Sequence, residues 1–210
     1  MIIAIDGPAA SGKGTLARKV AAHYGLPHLD TGLLYRAVAR ALADASLALD
    51  DEEAAVAAAK ALTLKALDPE KLRVAAMSEA ASRVAALPSV RAAILDLQRE
   101  FSRQPRGAVL DGRDIGTVVC PDADVKLFIT ASLEERAKRR WRELVLSGAP
   151  LDYDAVVEDI QRRDARDASR PVSPLRQAPD AVPIDTTHLD ADEALAAALA
   201  VISSKAGEIA

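Results

Sequence analysis

The chain has 210 residues, 50% of them hydrophobic and 28% charged, which suits one globular domain with a substantial core and excludes a disordered tail or a coiled rod. A formal net charge of -4 and a pI of about 5.5 leave no global positive field, so neither a nucleic-acid nor a membrane partner is expected. The single cysteine, Cys120, cannot form an internal disulfide, there is no apolar run of about 18 residues, and MIIAIDGPAA lacks the regions of a signal peptide, so a cytoplasmic location is expected.

The chain holds 45 alanines and no asparagine, and its basic residues divide into 19 Arg and 8 Lys. Thermophilic adaptation and a GC-rich genome account for this equally well, and neither bears on chemistry.

In chain order, Ile2 to Ile5 is a short β-branched strand that stops at Asp6-Gly7-Pro8, and Lys13 to His23 reads as a helix. A second strand, Pro27 to Asp30, precedes Thr31, whose hydroxyl is placed to cap a helix from Gly32 to Ala43. Asp51 to Ala61 is helical. Leu62 to Leu67 and Lys71 to Ala76 flank Asp68-Pro69-Glu70 in the manner of a weak hairpin. Helices over Met77 to Ala86 and Ser89 to Arg103 are divided by Pro88, and a buried strand from Gly107 to Leu110 ends on Asp111-Gly112. A strand over Asp124 to Ile129, helices over Leu133 to Leu146 and Tyr153 to Arg163, a strand over Ala181 to Ile184 and a helix over Asp192 to Ser203 complete the series. Alternating strands and helices predict an α/β fold, a doubly wound parallel sheet with helices on both faces. The stretch Arg162 to Pro179, rich in Arg, Asp and Pro, reads as a mobile, solvated loop.

The strongest local signal is Gly7-Pro8-Ala9-Ala10-Ser11-Gly12-Lys13-Gly14-Thr15, which fits G-x-x-x-x-G-K between the first strand and the first helix. Small residues let backbone N–H groups turn inward around phosphate oxygens, the helix N-terminus adds partial positive charge, and Lys13 reaches the β- and γ-phosphates of a nucleotide. Gly14 stands directly after the lysine, and Thr15 supplies the hydroxyl one place later than in the commonest form. A chain without asparagine also has no N-K-x-D guanine reader, which disfavours a GTP-driven switch.

Charged residues recur where open α/β sheets bind ligands, beyond the carboxyl ends of the strands. Tyr35 and Arg36 follow the second strand, Ser82 and Arg91 lie on or between the helices around Pro88, and DGRDIGT follows the third strand. Arg163, Arg166, Asp167 and Arg170 fall in the arginine-rich stretch.

GPAASGKGT, LDTGLLYR, AASRVAALPSVR, LDGRDIGTVV, PDADVKLF and RRDARDASRPVSPL, in this order from the N-terminus to about residue 186, together resemble the bacterial cytidylate kinases. The phosphate loop alone marks only a broad superfamily, whereas DGRDIGT and RDxRDxxR are specific to this family. The resemblance implies a P-loop NTPase-type domain with a monophosphate-binding insert and a lid. It also implies transfer of the γ-phosphoryl group of ATP to CMP or dCMP, giving ADP and CDP or dCDP. The corresponding division of the single domain puts the core at about 1–50, 105–150 and 178–210, the monophosphate-binding part at about 51–104 and the lid at about 151–177.

Carried over residue by residue, the resemblance assigns Ser82, Arg91 and Asp114 to the cytosine edge. A carboxylate acceptor beside Arg and hydroxyl donors matches cytosine's N4 amino donor and its N3 and O2 acceptors, and would repel uracil O4. Arg36, Arg113 and Arg163 are assigned to the acceptor phosphate, which planar guanidinium groups bind bidentately, and Thr31 and Asp167 to the ribose. Tyr35 either packs near the sugar or is simply a core aromatic. Lys13, Arg113, Arg163, Arg166 and Arg170 are the expected catalytic charges, because phosphoryl transfer needs alignment and positive charge rather than a strong base. An arginine-rich network held only by surface ion pairs is the bland alternative. Mg2+ is the implied cofactor, with Thr15 near it, Asp111 as a Walker-B-like carboxylate and several water ligands.

Two departures from the family pattern stand out. Thr31 replaces a frequent serine, which keeps the hydroxyl and adds a methyl group, and the stretch between Asp50 and Met77 is shorter than the insert of many bacterial members. Cys120, between a Val-Val pair and Pro121, reads as a packed small hydrophobe, and His23, His28 and His188 show no metal-ligand spacing. Trp141 among arginines reads as part of an amphipathic helix rather than a nucleic-acid platform. A monomer is expected. The rival readings are a kinase for another acceptor such as UMP, a nucleotide-controlled binding module and a nucleic-acid binder.

Overall fold

A computed structural model of the chain describes residues 1–149 and 152–209. Pro150 and Leu151, where the expected core segment ends and the expected lid begins, and the terminal Ala210 lie outside the described residues. The chain divides into two compact units, one made of Met1–Leu29 with Glu100–Ala210 and the other of Asp30–Arg99.

The first unit is built on a parallel sheet. Its strands are β1 (Ile2–Asp6), β2 (His28–Asp30), β3 (Ala108–Gly112), β4 (Val125–Thr130) and β5 (Val182–Asp185), in the order β2-β3-β1-β4-β5. Ile5 pairs in register with Asp111 on one side and Leu127 on the other, which brings the ends of β1, β3 and β4 to one rim of the sheet. Central strands covered on both faces must be apolar throughout, and Ile3, Ile5, Val109, Leu127 and Ile129 are fully or almost fully buried. Helices α1 (Lys13–Tyr24) and α9 (Ala191–Ile209) contribute Leu16, Val20, Ala198 and Ile202 to the same core. Burying each such aliphatic side chain is worth about 1.5–3 kcal/mol. Helices α7 (Leu133–Leu146) and α8 (Tyr153–Ser169) complete the unit.

The second unit is helical: α2 (Gly32–Asp44), α3 (Glu52–Lys60), α4 (Pro69–Leu72), α5 (Ala75–Val84) and most of α6 (Pro88–Ser102). Leu34, Val38, Leu42, Val84, Val90 and Ile94 form its buried interior. Proline tolerates the first position of a helix, and α6 accordingly starts on Pro88.

Three expectations fail. The hairpin between Leu62 and Ala76 is absent: Leu64–Ala66 is a 3-10 turn, and Asp68 accepts hydrogen bonds from the N–H groups of Glu70 and Lys71, so Asp68-Pro69-Glu70 starts α4 instead of a β-turn. The Thr31 hydroxyl caps nothing, because Thr31 already has helical backbone angles; the Asp30 carboxylate accepts from Gly32 N–H at 3.1 Å in its place. The expected solvated loop is a helix as far as Ser169, and Asp167 within it is buried.

Candidate functional site

The loop between β1 and α1 has the geometry that its glycines require. Gly7 has φ 154°, and a Cβ there would stand 2.1 Å from the Ile129 carbonyl oxygen on β4, so the strand and the loop approach as closely as only glycine permits. Ala10 and Gly12 are left-handed at φ 58° and 84°, which turns successive N–H groups toward the concave side. No side chain caps the N-terminus of α1 and no acidic residue lies in its own first turn, so its first N–H groups and its positive end suit an anion. Lys13 Nζ donates to the Pro8 carbonyl at 3.1 Å, which folds the side chain back over the loop. Ser11 is fully buried, and its hydroxyl has no hydrogen-bond partner among the described residues.

The loop is held from behind by residues that no short motif marks. Arg136 on α7 donates to the Ala9 carbonyl at 3.2 Å and pairs with Asp164 on α8 at 2.7 Å. The Thr186 hydroxyl lies 3.1 Å from the Ser11 carbonyl and 3.0 Å from that of Thr130, and accepts from Arg139 Nη1 at 3.0 Å. Beside the loop a cavity of about 550 Å3 is lined by Gly12, Thr15, Arg139, Arg142, Thr187 and His188, among others. No motif in the sequence marks this wall. Its available signal was the segment Thr186 to Asp190, which directly follows the last strand.

Asp6, also unmarked, ends β1. Its carboxylate accepts from the N–H groups of Ile115 and Gly116, both at 2.8 Å, at the head of a π-helical turn over Ile115–Val119. Burial raises its pKa from 3.8 to about 6 against the pull of these two bonds, with the Asp114 charge adding to the rise and Lys13 opposing it.

Arg113 and Arg163, both half-buried, gather around the buried Asp167 in a charge cluster. Arg113 Nε donates to Asp167 at 2.7 Å, and Arg170 also pairs with Asp167. Burial alone would lower the Arg113 pKa, but the charge and hydrogen bond of Asp167 outweigh it and leave the group more basic than usual. Asp167 itself is held below the ordinary carboxylate range: burial works against this, and Arg113 and Arg170 prevail. Arg163 goes the other way, lowered to about 10, first by burial and then by the neighbouring Arg113 charge. Its Nε has no hydrogen-bond partner among the described residues. Arg163, Arg166, Asp167 and Arg170 fall three or four residues apart, on one stripe of α8 and its end.

Asp111, at the end of β3, accepts from His28 at 2.7 Å, and its other oxygen lies 3.6 Å from where a Cβ of Gly14 would stand. Thr15 Oγ1 is one residue further along α1 and accepts from Arg18 at 3.2 Å. Among the described residues no three His, Cys, Asp or Glu gather into a metal centre. One carboxylate and one hydroxyl beside the phosphate loop nonetheless fit Mg2+, which keeps most of its water and takes few protein ligands.

In the second unit, Tyr35 and Arg36 lie on α2, Ser82 on α5 and Arg91 on α6. The Arg91 guanidinium lies 5.4 Å over the Tyr35 ring and donates to the Ala85 carbonyl at 3.3 Å. Arg36 makes two long contacts, 3.4 Å each, to the Leu72 carbonyl and the Ser78 hydroxyl. Bonds of that length are weak and easily exchanged for others. Ser82, Arg91 and Tyr35 are buried, as are Thr31 and, in the first unit, Asp114. Cys120 is buried too, as a packed hydrophobe would be.

The family model described as cytidylate kinase matches residues 3–204. The cytidylate kinase of Methylobacterium sp. is 67% identical over 205 residues, 98% of each chain, and that of Methylocella silvestris is 62% identical over 97% of this chain and 94% of its own. Coverage of 98% in both directions leaves no room in the Methylobacterium protein for a long extra insert between Asp50 and Met77. A crystal structure of an uncharacterised protein from Eubacterium ventriosum superposes with a TM-score of 0.59 over 97% of this chain and 99% of its own, at 16% identity, a likeness of fold alone. No helix among the described residues is long and apolar enough to cross a membrane.

Proposed function

Since the chain belongs to the cytidylate kinase family, we propose that it transfers the γ-phosphoryl group of ATP to CMP and dCMP, with the work divided between its two units as follows. In the first unit the N–H groups of residues 7–15 and Lys13 hold the β- and γ-phosphates, and the cavity beside them takes the donor's nucleoside. Arg113 and Arg163 bind the acceptor phosphate, while Arg166 and Arg170 add charge as it builds on the equatorial oxygens. Asp167 meets the ribose and Asp114 the cytosine amino group. In the second unit, Ser82 and Arg91 read the cytosine edge, Arg36 engages the phosphate, and Thr31 and Tyr35 contact or pack against the sugar. The chain works as a monomer in the cytoplasm, without a nucleic-acid or membrane partner.

Mg2+, held through Thr15 and Asp111 and largely by water, would neutralise charge on the β- and γ-phosphates. The remaining chemistry belongs to the side chains: guanidinium groups align the acceptor oxygen, Lys13 offsets the charge of the moving group, and burial of the cluster excludes water that would otherwise attack ATP.

The observation that carries this reading is Arg163. A half-buried guanidinium beside a second cation, lowered to about 10 and with its Nε buried and unpartnered among the described residues, is costly unless an anion completes it, and a substrate phosphate is such an anion. The test is an ADP-release assay with ATP, Mg2+ and CMP, dCMP, UMP, AMP, GMP or no acceptor. Strong turnover with CMP and dCMP, weak with UMP and negligible without acceptor is expected. Equal turnover with UMP would overturn the cytosine-reading roles, and acceptor-independent hydrolysis would overturn the kinase reading.

A further inference from the structure

We infer that His28 is a positioning residue for Asp111, fixing the carboxylate so that its second oxygen stays over the first turn of α1, on the side where the nucleotide's divalent cation binds. This rests on the placement of Asp111 near that cation proposed above. His28 begins β2 and Asp111 belongs to β3, its neighbour in the sheet, so a rigid backbone frame presents the two side chains to each other. The 2.7 Å contact runs from His28 Nε2 to Asp111 Oδ1. An ionised carboxylate only accepts, so Nε2 carries the proton and donates it. With Oδ1 engaged in this way, Oδ2 lies over Gly14, between Lys13 and Thr15. Asp111 is 3% exposed, so water cannot substitute freely for the lost donor if His28 is removed. Carboxylates that serve a metal are commonly oriented by such an outer partner, whose loss weakens metal affinity about 10- to 100-fold.

The readout is the gain in ATP affinity that Mg2+ confers: the ratio of ATP dissociation constants in EDTA and in excess Mg2+, measured by calorimetry without acceptor. His28→Leu is expected to shrink that ratio about tenfold while leaving ATP affinity in EDTA unchanged. His28→Gln, which can return an N–H donor to the same oxygen, is expected to restore most of the ratio. Combining His28→Leu with Asp111→Asn should shrink it no further than Asp111→Asn alone. If Asp111→Asn shrinks the ratio and His28→Leu does not, the positioning role is wrong and the Asp111 assignment stands. If neither changes it, the Asp111 assignment falls and the inference with it. Equal losses with and without Mg2+, or a failed rescue by His28→Gln in a chain that melts at the native temperature, would also overturn it.

Discussion

Lys13 and Asp6 carry opposite charges at the two ends of the phosphate loop, and each supports a separate prediction. Lys13 donates to a carbonyl of its own loop at 3.1 Å and sits at the head of α1, and the role proposed for it makes its loss fall chiefly on catalysis. Lys13→Met should lower kcat by about 10²- to 10³-fold, the usual effect of deleting one transition-state donor. Thermal unfolding should shift by no more than about 2 °C; a large drop in melting temperature would show a structural role instead. Asp6 is neutral below about 6 in the folded chain and below 3.8 when unfolded. Its contribution to stability is therefore complete below 3.8 and lost as pH rises through about 6. The unfolding free energy of the native chain relative to Asp6→Asn should fall by roughly 3 kcal/mol across that window. Urea titrations at a series of pH values would measure it, and a flat difference would refute the assignment. Asp6 escaped sequence reading because nothing local in IIAID shows that its partners are the N–H groups of Ile115 and Gly116.

At the scale of elements, the start of α2 sets a structural residue beside one proposed to meet the ribose. Asp30 caps Gly32 and pairs with Arg73 at 2.7 Å, whereas the Thr31 hydroxyl does not cap the helix. Asp30→Ala should destabilise the chain by about 1 kcal/mol, nearly all of it from the cap, because a half-exposed ion pair adds little. Thr31→Ala should alter the ratio of KM values for CMP and dCMP, and Thr31→Ser, which keeps the hydroxyl, should restore it. If Thr31→Ala leaves that ratio unchanged, the ribose role loses its support. The α8 stripe makes the same point about legibility. Arg163, Asp167 and Arg170 look solvated in sequence because each is charged, yet mutual neutralisation around Asp167 lets the stripe be buried as helix. Asp68-Pro69-Glu70 was ambiguous for a related reason: Asp-Pro opens turns and helices alike, and the bonds from Glu70 and Lys71 N–H to Asp68 decide for the helix.

At the scale of the molecule, the proposed roles give ATP to the first unit and CMP to residues of both units, and ligand-induced protection should follow that pattern. In hydrogen exchange, ATP with Mg2+ should slow exchange chiefly over residues 7–15 and 186–191 of the first unit. CMP should slow it over residues 113–114 and 163–167 of the first unit and over residues 30–91 of the second, where Arg36 holds the Leu72 carbonyl and the Ser78 hydroxyl at 3.4 Å each. No CMP-dependent change anywhere in residues 30–91 would argue that the compact second unit does not bind the acceptor.

The sequence by itself determined the alternating α/β order, the phosphate loop and the family motifs, because those depend on local spacing: glycine positions, strand and helix periods, and a lysine at the head of a helix. It also put forward the candidate site residues, those at strand ends and on the phosphate loop from local spacing and those on helices α5, α6 and α8 from the family motifs. The tertiary structure alone decided the pairings of His28 with Asp111, Asp6 with the π turn, Thr186 with Ser11, and the burial of Asp167 among arginines. Arg163 and Arg170 neighbour Asp167 on its own helix and its end, but the other partners are 54 to 175 residues apart, and only the order of strands in the sheet and the packing of helices on it bring them within hydrogen-bond reach.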